Sequence, residues 1–163
     1  MPLTQSLYES AEALNEEFAA EIAEKLSQGV AQRGRASLMV SGGRTPLPLF
    51  KALSETDIDW ASVDVSLVDE RWVEESSDAS NTRLVKENLL VGKASAARFI
   101  EMKSAEADAT DAAVACESRL SAMSQPFDVL ILGMGEDGHT ASLFPCCEQL
   151  EDGLAMNSGR VCI

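Results

Sequence analysis

The sequence predicts an α/β fold, built on a mainly parallel sheet with helices on both faces. Three short apolar runs, 36–40, 63–68 and 127–132, have the length and composition of buried strands. Segments with a helical spacing of apolar residues separate them, and this alternation is typical of parallel sheets. The 163 residues suffice for one core, so we assign 1–163 to a single domain.

The first half of the chain predicts a long helix, a strand and a shorter helix. Residues 4–29 form an amphipathic helical pattern, with Gly29 as the expected C-cap. Apolar residues recur there every three or four positions, at Leu7, Ala11, Leu14, Phe18, Ile22 and Leu26. The run 36–40 follows as a strand. Thr45 is then expected to be the N-cap of the next helix and Pro46 its first residue.

The second half continues the alternation. The run 63–68 predicts a second strand, which ends in a charged loop. Asn81 is expected to cap a helix over the segment TRLVKENLL. A further alanine-rich helix fits 105–123, and Pro126 introduces the third predicted strand, 127–132. No internal repeat or low-complexity segment interrupts this order.

Charge and composition exclude several classes of protein. The net charge is −14, and binding to nucleic acid needs clustered Lys and Arg, so we expect no nucleic-acid partner. No apolar run approaches the ~20 residues that span a bilayer, so no membrane partner is expected. The cysteines lack C-x-x-C spacing, which favours reduced thiols and a cytoplasmic location; they are Cys116, Cys146, Cys147 and Cys162. The oligomeric state stays open, with a monomer as the working expectation.

A glycine-rich loop, SGGRTP at 41–46, follows the first predicted strand. Ligands of open parallel sheets bind beyond the carboxyl ends of the strands. Gly42 and Gly43 would let the backbone approach a ligand closely, and N–H groups at the start of a helix favour phosphate. Ser41 and Thr45 could add hydroxyl donors. A tight turn that uses glycine for conformation alone explains the motif equally well.

The second predicted strand ends in DERW, residues 69–72. Arg71 can hold a phosphate or carboxylate through two parallel N–H bonds. Asp69 is a candidate proton acceptor, or a group that orients one. A solvated charged loop is the alternative. Metal binding by Asp69, Glu70 and His139 is conceivable, but no ligand spacing supports it.

The third predicted strand ends in GMGEDGHTASLFP, whose Gly133, Gly135 and Gly138 spell G-x-G-x-x-G. A dinucleotide-binding turn needs a full helix after the third glycine. Pro145 leaves no room for one, and Glu136 and Asp137 would repel a pyrophosphate. A catalytic loop fits better, because His139 is the only histidine of the chain and suits general-base work near neutral pH. Asp137 is close enough to orient its ring.

The three motifs in combination are more specific than any one of them. SGGRTP at 41–46, DERWV at 69–73 with SDASN at 77–81, and LGMGEDGHTASLFP at 132–145 resemble the 6-phosphogluconolactonases in order and spacing. The resemblance covers most of the chain. It implies a Rossmann-like three-layer α/β/α sandwich. It also implies hydrolysis of 6-phospho-D-glucono-1,5-lactone to 6-phosphogluconate, a step of the oxidative pentose phosphate pathway that needs no cofactor.

The resemblance also implies roles for single residues. His139 would be the general base that activates water, with Asp137 beside it and Asp69 in the same crevice. The substrate, a sugar phosphate lactone, would be bound by Ser41, Gly42, Gly43, Arg44, Thr45, Arg71 and Gly135. Arg44 stands at a position that varies in the family. No metal ion is implied.

The last residues, GRVCI at 159–163, look like the start of another strand. We therefore expect the sheet to continue beyond this point and the chain to be truncated at its C-terminus. The resemblance implies that a later segment contributes a basic residue to the phosphate site. Without it, we expect this chain alone to bind the substrate poorly.

Two alternative functions remain open. Glucosamine-6-phosphate deaminases share the glycine turns and the DGH sequence, and Asp69 would then be the base for ring opening and enolisation. Those enzymes follow DGH with an acidic segment similar to IAFNEP, whereas this chain has TASLFP. A sugar-phosphate sensor is the other alternative, but it would be expected beside a basic DNA-binding motif, and the N-terminal helix here is acidic.

Overall fold

The computed structural model describes residues 3–106, 108–155 and 159–162. The helices are α1 Ala11–Arg33, α2 Leu47–Ser54, α3 Asn81–Asn88, α4 Ala109–Leu120 and α5 Leu150–Leu154. The strands are β1 Ala36–Val40, β2 Val63–Leu67, β3 Arg98–Phe99 and β4 Val129–Leu130. None of the helices in these ranges is both long and apolar enough to cross a membrane.

The strands form one parallel sheet in the order β3-β2-β1-β4. Ala36 of β1 lies opposite Val63 of β2, and Leu38 of β1 lies opposite Val129 of β4. Every residue of β1 and β2 is buried, as expected for strands covered on both faces. Since all strands run in the same direction, the loops after β1, β2 and β4 leave the sheet at one edge.

Helices cover both faces of this sheet. Alternation along β1 sends Leu38 and Val40 to one face, where α1, α2 and α3 contribute to the larger core cluster. Met39 points to the other face and packs in a second cluster with Cys116 and Leu120 of α4. The predicted three-layer α/β/α arrangement around a mainly parallel sheet is therefore confirmed.

The first helix is shifted relative to its prediction. It begins at Ala11, with Ser10 as the N-cap, and it runs through Gly29. Gly34, whose φ is 78°, is the actual C-cap. The prediction of Gly29 as the C-cap is wrong, because this glycine permits close packing: a Cβ there would lie 2.4 Å from Oδ1 of Asp128.

Two predicted helix caps are also wrong. α2 begins only after Pro46, which occupies the cap position, so Thr45 lies outside the helix and does not cap it. Ser80 caps α3, because its hydroxyl accepts a hydrogen bond from a backbone N–H in the first turn. Asn81 is the first helical residue, and its side chain instead donates to the backbone carbonyl of Asp69, at 3.0 Å.

The strands agree with the prediction best at the centre of the sheet. β1 has the predicted bounds, and β2 ends one residue before the end of the predicted strand 63–68. The predicted strand 127–132 shrinks to the two residues of β4, and α4 occupies the middle of the predicted helix 105–123. β3 is a two-residue strand that the sequence did not indicate. The described residues 159–162 form no strand.

Two carboxylates join the amino ends of the strands. Asp64, at the start of β2, is fully buried. It accepts two hydrogen bonds of 2.8 Å from Arg98 and pairs with Arg35 as well. Burial alone would raise the pKa of Asp64, but the hydrogen bonds from these two arginines hold it below its usual value. Asp128, before β4, accepts from the backbone N–H of Ser37 at 2.9 Å.

Candidate active site

The three loops at the carboxyl edge are joined by side-chain hydrogen bonds. Ser41, directly after β1, donates through its hydroxyl to the carbonyl of Ile131 after β4, at 3.0 Å. Asn81 donates to the carbonyl of Asp69 after β2, at 3.0 Å. Ser142, in the loop after β4, donates to Oδ2 of Asp69 at 2.7 Å. The residues that the three sequence motifs singled out therefore lie at one place.

The glycine turn after β1 needs its two glycines for different reasons. A Cβ on Gly42 would lie 1.8 Å from Oδ1 of Asn81, so only glycine lets this turn pack against α3. Gly43 has a φ of 90° and nothing within 4 Å of the position of a Cβ, so it needs glycine for its backbone conformation. Arg44 and Thr45 are exposed. The turn thus presents its backbone and one guanidinium to solvent.

The loop after β2 buries one carboxylate and exposes one cation to solvent. Asp69 is 8% exposed and accepts the hydrogen bond from Ser142. The side chain of Arg71 is 55% exposed, and its Nε lies 3.9 Å from Oδ2 of Asp69. This distance is a loose ion pair rather than a hydrogen bond. The two terminal nitrogens of Arg71 thus remain available for an anionic ligand.

Glu70, the residue between them, has a structural role that the sequence did not reveal. Its carboxylate accepts from the backbone N–H groups of Asn81 and Thr82, both at 2.9 Å, at the start of α3. Burial alone would raise the pKa of Glu70, but hydrogen bonds from Arg71, Thr82 and Asn81 lower it. In the described residues, no group of three or more His, Cys, Asp or Glu side chains could hold a metal ion.

His139 forms a pair with Asp137. Its Nδ1 lies 2.5 Å from Oδ1 of Asp137, and its backbone N–H donates to the same oxygen at 3.2 Å. The hydrogen bond from His139 lowers the pKa of Asp137, so this carboxyl group is ionised at neutral pH. An ionised carboxylate only accepts hydrogen bonds, so Nδ1 carries the proton and Nε2 is left as the basic nitrogen.

The loop around this pair is held by its own backbone. Gly138, with a φ of 87°, donates to the carbonyl of Gly135 at 3.0 Å and closes a tight turn. Gly135 donates in return to the carbonyl of His139 at 2.8 Å. A Cβ on Gly135 would lie 2.2 Å from the imidazole. The ring of Phe144 stacks on that imidazole, with centroids 4.4 Å apart. Together these contacts fix the orientation of His139.

The absence of a helix in this loop agrees with the rejection of a dinucleotide-binding turn. Residues 133–149 contain turns and one isolated bridge, and the next helix, α5, begins only at Leu150. A pyrophosphate bound by a G-x-G-x-x-G turn needs the N-terminus of a helix directly behind the glycines. The glycines here serve instead to turn the chain and to make room for the imidazole.

A cleft of about 600 Å³ opens beside this site. It lies between α4 and the segment 141–153, and Asp69 and Ser142 are among its lining residues. His139 and the glycine turn 41–45 are not among them. The cleft therefore reaches the His139 loop at Ser142 but does not include the imidazole itself.

Sequence reasoning missed three side chains of this site. Asn81 was expected only as a helix cap, although it contacts both Asp69 and the glycine turn. Ser142 and Phe144 were noted only as letters of the motif around His139. Their partners, Asp69 and the imidazole of His139, are determined by the fold, so no local pattern indicates them.

Fold and site together define an α/β protein with a glycine turn, an exposed arginine and a His–Asp pair at one edge of a parallel sheet. The family model of glucosamine-6-phosphate isomerases/6-phosphogluconolactonase matches residues 9–161. The chain belongs to this family. A "6-phosphogluconolactonase" of Rhizobium meliloti is 44% identical over 98% of this chain and 69% of its own length. One of Pseudomonas aeruginosa is 46% identical over 90% of this chain and 61% of its own length.

Solved structures agree with these matches. A crystal structure of a 6-phosphogluconolactonase from Shewanella baltica superposes with a TM-score of 0.89 at 48% identity, over 92% of this chain and 64% of that one. A monomeric glucosamine-6-phosphate deaminase, with a TM-score of 0.69 at 16% identity, shares the fold alone. The chain spans roughly two thirds of the length of these relatives, from 61% to 69%.

Proposed function

We propose that this site hydrolyses 6-phospho-D-glucono-1,5-lactone to 6-phosphogluconate, without a cofactor. The observation that carries the proposal is the pairing of His139 with Asp137, which leaves Nε2 as a base at the carboxyl edge of the sheet. The curated relatives cited above bear the name 6-phosphogluconolactonase, which supports the same reaction. The family also includes glucosamine-6-phosphate isomerases. Deamination of glucosamine 6-phosphate is therefore the competing assignment.

In the proposed mechanism, Nε2 of His139 removes a proton from water as the water oxygen attacks the lactone carbonyl. The tetrahedral intermediate then expels the ring oxygen, which takes this proton back from the imidazolium and becomes the sugar hydroxyl as the ring opens. The imidazolium formed in the first step is stabilised by the Asp137 carboxylate at 2.5 Å. A positioned base contributes about 10²–10⁴-fold, and a lactone is already an activated ester, so no covalent nucleophile is needed.

We propose that the substrate phosphate binds at the glycine turn. The three loops, 41–46, 69–80 and 133–145, contain two cations, Arg44 and Arg71. Both are exposed, and the backbone of Gly43, with nothing within 4 Å of the position of a Cβ, is open to a ligand. The start of α2 adds few donors, because Pro46 and Pro48 lack an N–H and the Leu47 N–H donates to the carbonyl of Arg44. A chain with a net charge of −14 repels a phosphate at long range, so these local donors have to provide the attraction.

Asp69 has a different environment from Asp137, and this suggests a different role. It is 8% exposed and is already bound by Ser142, whereas the side chain of Asp137 is 54% exposed and bound to the imidazole. We propose that Asp69 acts as a fixed negative charge beside the substrate and keeps Arg71 in place. The general base is His139.

The test is to add freshly prepared lactone to the protein at constant pH and to follow acid release by titration. We expect release that rises in proportion to protein concentration above the spontaneous hydrolysis. Release at the spontaneous rate alone would refute the lactonase activity. Ammonia released from glucosamine 6-phosphate, measured in parallel, would assign the deaminase reaction instead.

A further inference from the structure

Asp69 is held from two sides by uncharged side chains that belong to different elements. Asn81, the first residue of α3, donates to the backbone carbonyl of Asp69 at 3.0 Å. Ser142, in the loop that carries His139, donates to its carboxylate at 2.7 Å. Asp69 and Asn81 are both buried. Ser142 is itself exposed, but its acceptor is buried, and a hydroxyl bound to a carboxylate is among the stronger hydrogen bonds.

Each of the two side chains also contacts one functional loop. Oδ1 of Asn81 lies against Gly42, where a Cβ would be 1.8 Å away, so the position of Asn81 determines where the glycine turn runs. Ser142 is three residues from His139, and Ala141 between them has a φ of 51°. A non-glycine residue persists in that conformation only where the surrounding structure holds it.

We infer that Asn81 and Ser142 are positioning residues, which set the phosphate turn and the His139 loop at fixed places on either side of Asp69. The inference rests on the proposed function. Among the hydrogen bonds of the described residues, the one from Ser142 to Asp69 is the direct link between the loop 133–145 and the loop after β2. Asn81 contacts the glycine turn by packing, because its Oδ1 lies against Gly42.

The two residues therefore have separable effects on the reaction. Loss of the Ser142 hydroxyl releases the loop of the general base, so Ser142→Ala is expected to lower kcat on the order of 10- to 100-fold, with KM changed much less. Loss of the Asn81 side chain releases the phosphate turn, so Asn81→Ala is expected mainly to raise KM. A general loss of stability would reduce the amount of folded enzyme, but it would not change the kcat or KM of the molecules that remain folded.

The experiment measures kcat and KM for the wild type, Ser142→Ala, Ser142→Thr and Asn81→Ala, with thermal unfolding of each. Ser142→Thr keeps a hydroxyl and is expected to recover most of the kcat. Ser121→Ala is the matched control, because this exposed hydroxyl bonds only within α4 and its C-cap, to the carbonyl of Ser118. In an Asp69→Asn background, Ser142→Ala should cost much less than in the wild type.

Failure of the inference and failure of the proposed function give different results. If the wild type hydrolyses the lactone and Ser142→Ala keeps its kcat within about twofold, well below the loss expected for a broken hydrogen bond to a charged group, the inference is overturned and the function stands. If the wild type hydrolyses no lactone, amide exchange still tests the positioning. The Gly135 N–H, bound to the carbonyl of His139, should then exchange faster in Ser142→Ala, and unchanged exchange would overturn the inference.

Discussion

The two ends of β2 carry carboxylates with opposite surroundings. Asp64, at the amino end, is fully buried and receives hydrogen bonds from two arginines. Asp69, just beyond the carboxyl end, has the hydroxyl of Ser142 and a guanidinium that is 3.9 Å away and largely exposed. The amino end thus uses its cations to satisfy its own carboxylates. The carboxyl end leaves a cation available for a ligand.

The backbone shows the same contrast. The two non-glycine residues with positive φ among the described residues are Trp72 and Ala141, and both lie in loops at the carboxyl edge. Such conformations cost on the order of 1–3 kcal/mol each and cluster at functional sites. In the connections that lead into β1 and β3, the left-handed positions are Gly34 and Gly92, and glycine adopts this conformation without strain. At the carboxyl edge, therefore, strained backbone lowers the stability of the fold but fixes the conformation of the loops.

The largest expected effect is that of removing the imidazole from the carboxyl edge. His139→Ala should lower kcat for the lactone by about 10²–10⁴-fold, the contribution of a positioned general base. Its thermal stability should change little, because the side chain is 32% exposed and packs on one ring. Lactone hydrolysis at constant pH measures the first effect and thermal unfolding the second. Equal rates for the two proteins would remove His139 from the mechanism.

At the amino edge, substitution of Asp64 should lower the stability of the fold and leave catalysis unchanged. Asp64→Asn keeps the shape but leaves Arg35 and Arg98 without their anion. Because both arginines are partly exposed, we expect a loss near the lower limit for a broken buried pair, about 3 kcal/mol of unfolding free energy. Urea unfolding measures this loss, and the kcat of the folded protein should be unchanged.

A surface pair provides the control for Asp64→Asn. Asp78 is 99% exposed and pairs with Arg83, so Asp78→Asn should leave the free energy of unfolding almost unchanged, because water and salt screen this pair. Similar losses in the two variants would contradict the structural role assigned to the buried carboxylate.

Two glycines allow the same substitution to be compared at both edges. Gly29→Ala would place a Cβ 2.4 Å from Asp128, and Gly42→Ala would place one 1.8 Å from Asn81. Each should cost about 1–3 kcal/mol of stability, as overpacking does. Only Gly42→Ala should also raise KM, because it displaces the proposed phosphate turn. Steady-state kinetics and thermal unfolding of both variants check this, and an equal rise in KM for both would argue against a specific role for Gly42.

The sequence is sufficient to predict the central strands of the sheet and the edge of the sheet at which the site lies. β1 and β2 are continuous apolar runs, buried on both faces, and a parallel sheet brings the loops behind them to one edge. Apolar spacing alone predicts the start of α1 too early. Leu7 follows that spacing but is 86% exposed, and the N-cap at Ser10 determines where the helix begins.

The remaining errors concern contacts between distant parts of the chain. Ser142 and Asp69 are separated by 73 positions, and Gly29 makes room for Asp128, which follows far later in the chain. Such pairings depend on tertiary structure, which periodicity and motif spacing do not specify. They are also the contacts that hold the candidate site together, so its framework was less predictable than its reactive residues.

Glu70 provides the smallest and most discriminating prediction, because it stands at the carboxyl edge but resembles the carboxylates of the amino edge. Its pKa is below the ordinary value of 4.5, so its contribution to stability is present above that pH and is lost as the pH falls through the lowered pKa. Glu70→Gln should therefore cost about 0.5–2 kcal/mol at neutral pH, as loss of a helix cap does. The difference should shrink as the pH falls below 4.5 and through the lowered pKa of Glu70, because the wild type then becomes protonated as well. Urea unfolding of both proteins across this pH range measures the difference, and we expect kcat to be unchanged.

A difference that does not vary with pH would mean that the hydrogen bonds of Glu70, and not its charge, stabilise the start of α3. A large fall in kcat in Glu70→Gln would instead mean that Glu70 takes part in the reaction.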